Sequence, residues 1–260
     1  MSFPDMLHKI KDKITEKFIV LVRAALLDDD VQEKLWAITN VRRPSCHWMA
    51  YPNSIREERY RKASAESGDF VAAHMPAYYG KDTHPEVMED CLSLVKVDGL
   101  MLEFGVYTGS SINLIAERFP DRSVHGFDSF EGLPESWRDA PAGVFSTRGA
   151  LPSVRDNVKL HVGWFNETLP DFVVQHEGPV AFLHVDSDLY SSAKVVLDLL
   201  APRIVAGTVI LFDEYFNYPY WQEHEHKAFM EFVDEHRVEF EYLAYADKGF
   251  SVGVEITSIG

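Results

Sequence analysis

The stretch Leu100-Met-Leu-Glu-Phe-Gly-Val-Tyr-Thr-Gly-Ser-Ser111 decides how the chain is read. Leu100 to Phe104 is a short apolar run with one acid, Glu103, near its end, the pattern of a buried strand in a parallel sheet. Gly105 and Gly109 follow four residues apart. Glycine there permits a tight turn and lets the backbone approach a ligand closely. Ser110 or Ser111 is then placed to cap a helix that continues through Ile112, Ile115 and Phe119 to a stop at Pro120. Strand, glycine turn and helix start together form a cradle at the carboxyl edge of a sheet.

The cradle is not of the dinucleotide type. Pyrophosphate cofactors use the GxGxxG spacing without an acid at the turn, whereas the spacing here is Glu-x-Gly-x-x-x-Gly. Glu103 would repel a phosphate. An acid in that place suits a cofactor that carries an ammonium group and no phosphate, such as S-adenosylmethionine.

Composition narrows the classes further. A chain of 260 residues, 46% hydrophobic, can bury a full core as one large domain or a domain with an appendage. Its formal charge of −16 repels phosphate backbones, and no basic cluster overrides this, so neither nucleic acid nor an anionic membrane is expected as a partner. Two cysteines, Cys46 and Cys91, are too few for a disulfide framework and fit a reducing compartment. The N-terminus lacks a signal-type apolar core, and no apolar run reaches the ~18 residues of a membrane span. The expectation is a cytoplasmic protein.

Outward from the cradle, Phe3, Leu7, Ile10, Ile14, Phe18, Val22 and Ala25 recur at helical spacing. That helix either packs on the main domain or serves as an arm that contacts a second subunit or covers a substrate. Residues 40 to 80 read as irregular and rich in aromatics, a lid or a wrapped connector. Thr83-His84-Pro85-Glu86 is a capping box that opens a helix. The domain expectation is therefore a helical and loop extension over 1–82 and a main domain over 83–260.

Within that domain, strands are expected at Val124 to Phe127, Val158 to Val162, Val180 to Val185 and Thr208 to Phe212, alternating with helices. Phe240 to Ala244 and Phe250 to Glu255 form a closing hairpin around Asp247-Lys248-Gly249. With the cradle strand this makes an α/β sheet of seven mostly parallel strands ending on an antiparallel pair, and the alternation fits a Rossmann-like layout. Asp128 lies just past its strand, 25 residues after Glu103, near the offset at which such folds hold ribose hydroxyls. Trp164 either flanks a purine ring or packs in the core.

Successive strands end in Glu103, Asp128, Gly163-Trp164, Asp186 and Asp213-Glu214. Carboxylates on neighbouring strand ends repel one another unless a cation or protons offset the charge. Hard oxygen donors without His or Cys among them suit Mg²⁺ or Ca²⁺ rather than zinc. The competing reading makes one acid a helix cap, a role expected of Asp188, and gives another to the cofactor.

Five motifs in order, Glu103-Phe-Gly-Val-Tyr-Thr-Gly-Ser110, Phe127-Asp-Ser-Phe-Glu-Gly-Leu-Pro134, Gly163-Trp-Phe165 with Thr168-Leu-Pro170, Asp186-Ser-Asp-Leu-Tyr190 and Phe212-Asp-Glu-Tyr215, resemble the macrocin O-methyltransferase family. The resemblance covers roughly residues 98 to 255. It implies a class I methyltransferase fold, S-adenosylmethionine as donor and a small-molecule hydroxyl acceptor, a sugar of a natural product, activated beside magnesium. By motif, Glu103, Gly105, Tyr107, Gly109, Ser110, Asp128, Ser129, Gly163, Trp164 and Asp186 would serve the cofactor. Asp186, Asp213 and Glu214 would hold the metal, with Asp186 also counted among the catalytic groups. The family's last pair is usually Asp-Asp, so Glu214 sets one carboxylate a methylene further out.

The base that takes the hydroxyl proton is assigned first to His224, after the metal-pair loop; the competing reading is a solvated histidine at a helix start. His184, inside an apolar strand, reads as a core residue. The aromatics from Tyr215 to Trp221 and those between 48 and 79 suit a stacked sugar or ring. Two other functions stay open: a nicotinamide-dependent oxidoreductase, disfavoured by the missing GxGxxG, and a binding protein that kept the cofactor site without catalysis.

Overall fold

A computed structural model describes residues 54–75 and 79–260. The expected N-terminal helix from Phe3, its role as an oligomer arm, and the aromatics Trp48, Tyr51 and Tyr78 lie outside the described residues. One compact unit spans Asn53–Gly260.

The unit opens with α1 (Ile55–His74), β1 (Gly80–Lys81), α2 (His84–Leu94), β2 (Leu100–Phe104), α3 (Ser110–Arg118), β3 (Val124–Asp128) and β4 (Val158–Val162). It continues with α4 (Phe165–Gln175), β5 (Val180–Val185), α5 (Tyr190–Leu200), β6 (Val209–Phe212), α6 (Glu225–His236), β7 (Glu239–Ala246) and β8 (Val252–Ser258). Helix α1 corrects the expectation of an irregular segment. It exposes most of its length and buries only Ala63 and Ser67, so no apolar stripe marks it in the sequence. Its start was marked, since Ser54 Oγ accepts from Glu57 N and two acids occupy the first turn.

The eight strands form one sheet in the order β1-β7-β8-β6-β5-β2-β3-β4. All neighbours are parallel except where β8 pairs antiparallel with β6 and β7. The two-residue edge strand β1 is the addition to the seven expected. Alternation along each strand feeds two cores. Leu102, Phe104, Leu183, Val185 and Phe212 face one with α4, α5 and α6, whereas Met101, Phe182, Val209 and Leu211 face the other with α2 and α3.

Chain direction reverses across the sheet between β2 and β5. From β2 the chain moves outward through β3 to β4, then returns to β5 on the other side of β2 and moves outward through β6. Such a switch point leaves a crevice beyond the carboxyl ends of the strands, where open α/β sheets bind ligands.

Candidate active site

Register decides what meets in that crevice. Phe104 pairs with Phe127 on one side and with Val185 on the other, and Val185 pairs with Phe212. The ladder continues one rung beyond: Gly105 N donates to Phe127 O, Asp186 N to Phe104 O and Asp213 N to Val185 O, each at 2.9 Å. Asp128, Gly105, Asp186 and Asp213 thus stand in one row across four adjacent strands, about 5 Å between neighbours. They line a cavity of about 650 Å³ with Tyr107, Ser129, Trp164, Asp188 and Glu214.

Gly105 is the hinge of the row. It has φ +98°, and a Cβ on it would stand 1.8 Å from the carbonyl oxygen of Asp186. Only glycine lets β2 and β5 release their chains here so close together. Asp128 ties the turn down: its Oδ2 accepts from Val106 N at 2.9 Å and Tyr107 N at 2.8 Å, and its Oδ1 from Phe130 N at 2.7 Å. Gly105, Tyr107, Asp128, Ser129 and Trp164 all lie on the cavity wall as the cofactor reading requires.

Four sequence-derived cofactor residues stand elsewhere. Glu103 is fully buried behind the row, with Oε2 2.9 Å from His184 Nδ1 and Oε1 accepting from Ser111 Oγ at 3.1 Å. It sits on the α2/α3 face of β2 because the pleat sends it opposite to Phe104. Gly109, at φ +81°, is itself the N-cap of α3, so neither Ser110 nor Ser111 caps that helix. Gly109 packs near Pro152, Ser110 Oγ lies 3.4 Å from Thr108 Oγ1, and Gly163, at φ +144°, turns the chain into α4. These shape the walls without forming them.

The opposite wall is acidic. Ligand oxygens of Asp186, Asp213 and Glu214 lie within 4.8 Å of one another, as expected of a metal set. Burial and the charges of Asp213 and Asp188 hold the Asp186 carboxyl well above the usual range. Glu214 is raised for the same reasons, burial first and Asp213 next. For Asp213, burial is outweighed by His84, whose ring nitrogen stands 2.5 Å from Oδ1, and the carboxyl stays below its usual range. Glu214 Oε2 is buried without a hydrogen-bond partner among the described residues. A converging set of hard oxygens, one of them orphaned, fits a divalent cation such as Mg²⁺.

Two further acids complete this side, Asp188 on the wall and Glu225 behind it. Asp188, expected as a helix cap, precedes the cap position, has φ +62° and lines the cavity. Burial and the Asp213 charge push its carboxyl up to about 7. Glu225, at the start of α6, is completely buried. Its Oε1 accepts from Ser187 N, Ser187 Oγ and Asp188 N, and its Oε2 from Glu214 N at 3.1 Å. It therefore clamps the loops after β5 and β6 together. Nothing in the local sequence sets it apart from solvated acids at helix starts.

His224 is not a wall of the cavity; it is the half-buried N-cap residue of α6. The aromatic loop corrects another expectation. Tyr215, Phe216, Tyr218 and Trp221 are buried in the core, where Phe70 of α1 packs edge-on against Trp221 at 5.3 Å. Only Tyr220 of that group is exposed. The connection between β3 and β4 supplies Pro134, Glu135 and Phe145 to the cavity instead.

The chain is similar in sequence and fold to known methyltransferases. Residues 102–215 match the family described as a methyltransferase domain. The 8-demethyl-8-(2,3-dimethoxy-alpha-L-rhamnosyl)-tetracenomycin-C 4'-O-methyltransferase of Streptomyces olivaceus is 31% identical over 157 residues, 49% of this chain and 58% of that protein. The chain thus spans less than two thirds of that relative's length. Demethyldecarbamoylnovobiocin O-methyltransferase of Streptomyces niveus is 28% identical over 215 residues, covering 72% of this chain and 78% of that protein. Among solved structures, a calicheamicin methyltransferase superposes with TM-score 0.51 at 22% identity, over 76% of this chain and 90% of that one. The O-methyltransferase NovP gives 0.50 at 24% identity, over 66% and 78%. The fold expected of a class I methyltransferase is the fold observed.

Proposed function

We propose, from the match of residues 102–215 to the methyltransferase-domain family, that the chain transfers a methyl group from S-adenosylmethionine to a hydroxyl of a small molecule. A sugar hydroxyl of a natural product is the acceptor class, since the tetracenomycin relative is named for methylating a rhamnosyl-bearing compound. The observation that carries the reading is the row Asp128–Gly105–Asp186–Asp213. It brings a glycine-turn wall and a carboxylate wall to one cavity at the switch point of the sheet.

On the first wall, Gly105 and Tyr107 offer close backbone approach, Asp128 keeps one lone pair, on Oδ1, for a ribose hydroxyl, and Trp164 offers a ring face for a purine. Asp186, Asp213 and Glu214 would hold Mg²⁺ on the other. When bound, the donor supplies an electrophilic methyl on sulfur and the cation lowers the pKa of a nearby hydroxyl. Asp188, on the same wall and oriented by the Glu225 clamp, takes the acceptor proton in place of His224. Holding the acceptor oxygen beside the sulfonium supplies much of the acceleration.

The test is a thermal-shift comparison of S-adenosylmethionine with NADPH, followed by labelled methyl transfer to a panel of glycosides with and without chelator. Stabilisation by the sulfonium donor and label in a glycoside are expected. Stabilisation by NADPH instead would establish the oxidoreductase reading, and donor binding without transfer to any acceptor would favour the non-catalytic one.

A further inference from the structure

Asp213 belongs to two clusters. One is the carboxylate set of the cavity; the other, on the α2/α3 face of the sheet, joins it to His84 and His184, with a ligand atom from each of the three within 4.8 Å. His84 stands at the first position of α2, fixed there by the capping box in which Glu86 Oε2 accepts from Thr83 N at 2.9 Å. His184 stands on β5, one residue before the end, and its ring lies 5.5 Å from that of His84. The sheet edge and a helix start thus bring two imidazoles to one carboxylate.

We infer that His84, His184 and Asp213 form a second metal site, selective for a transition-metal dication and sharing Asp213 with the carboxylate set. Two imidazoles and one carboxylate are a donor set for Zn²⁺, Co²⁺ or Fe²⁺; Mg²⁺ takes oxygen. The support of His184 follows the carboxylate–histidine–metal pattern. Its Nδ1 lies 2.9 Å from Glu103 Oε2, and Glu103 is itself held by Ser111 Oγ. With Nδ1–H given to that carboxylate, the lone pair of Nε2 is free. That Nε2 is buried and has no partner among the described residues, in a residue with no solvent exposure. An unmet polar atom in so dry a place is the mark of an absent ligand. His84 turns Nδ1 toward Asp213 Oδ1 at 2.5 Å and Ser251 Oγ at 3.0 Å, so a metal would take the place of the shared proton.

The inference stands apart from the proposed methyl transfer and is tested by reading the metal itself. The full chain, stripped by chelator, is titrated with Co²⁺ in the presence of millimolar Mg²⁺, and visible ligand-field absorption is followed. One equivalent of Co²⁺ is expected to give bands that Mg²⁺ does not displace. His84→Gln should weaken Co²⁺ binding by at least about tenfold, and Glu214→Gln should leave it in place. X-ray absorption of the Zn²⁺-loaded wild-type protein should show two imidazoles, which keeps the test decisive even where a variant fails to fold. No bands, an all-oxygen shell, or bands lost in Glu214→Gln and kept in His84→Gln would overturn the site. In each of those cases donor binding by the unmodified chain still reports separately on the methyltransferase reading.

Discussion

The two walls of the cavity handle negative charge in opposite ways. On the glycine-turn side the single carboxylate, Asp128, is met by three backbone N–H groups of its own neighbourhood. On the other side Asp186, Asp188, Asp213 and Glu214 crowd together, and Glu225 adds a fifth acid behind them. Counter-groups on this side are few: the His84 ring stands beside Asp213, and the Arg138 guanidinium draws Asp188 down against its burial. The first wall is complete within the chain and preorganised for a ligand. The second carries charge that the protein does not balance, and it is the half whose behaviour depends on protons or cations.

That contrast breaks most visibly at Asp213. Asp213→Asn should lower methyl transfer by at least roughly 100-fold while donor affinity, measured by calorimetry, stays nearly unchanged, because the donor wall is built from other strands. Unchanged turnover would remove the metal role of the acidic wall.

The pH dependence of stability follows next. Asp188 is pushed up to about 7 and Glu225 to about 8, burial being the first cause in both. Both lie above the ordinary carboxyl range, so the folded chain binds more protons than the unfolded chain between about pH 4 and 8. Their contribution to stability is full below that range and is lost as pH rises through 7 and 8. The chelator-treated protein should therefore melt at progressively lower temperature from pH 5 to 8, its unfolding free energy falling by about 1 kcal/mol per pH unit for each group until the pH passes that group's folded value, about 7 for Asp188 and about 8 for Glu225. Mg²⁺ should flatten the trend if the acidic wall binds it. A melting temperature that rises with pH would contradict the charge imbalance.

Smaller effects sharpen the other wall. Trp164→Ala should weaken binding of the donor or its demethylated product by roughly tenfold, the value of one aromatic stacking partner. A loss confined to melting temperature, with affinity intact, would return Trp164 to a packing role. The smallest change is expected at His224, where Ala should alter turnover by less than about twofold. A larger loss would reinstate it as the base in place of Asp188.

Legibility of the fold tracked burial. Strands β2 and β5 follow the apolar runs of Leu100 to Phe104 and Val180 to Val185 residue for residue. Such runs have one physical meaning in a sheet covered on both faces. Helix α1 escaped because a helix lying mostly in solvent carries no apolar stripe. Of the candidate site, the strand-end acids and the glycine turn were readable. The burial of Glu103, the place of Asp188 on the cavity wall and the burial of the aromatic loop were not. Glu103 and Asp186 both look like acids at strand ends, and only the pleat decides that one is sealed against His184 while the other opens into the cavity.

Sequence alone therefore determined the alternation of strands and helices, the glycine turn and the acidic endings, since each is a local pattern with a local cause. Tertiary structure decided which of those endings share a row. It also buried Glu225 as a clamp and brought His84, the first residue of α2, onto an acid 129 residues later (213 − 84). The physical reason is that proximity across a sheet is set by strand order and register. Those depend on the packing of the whole core rather than on any stretch of chain.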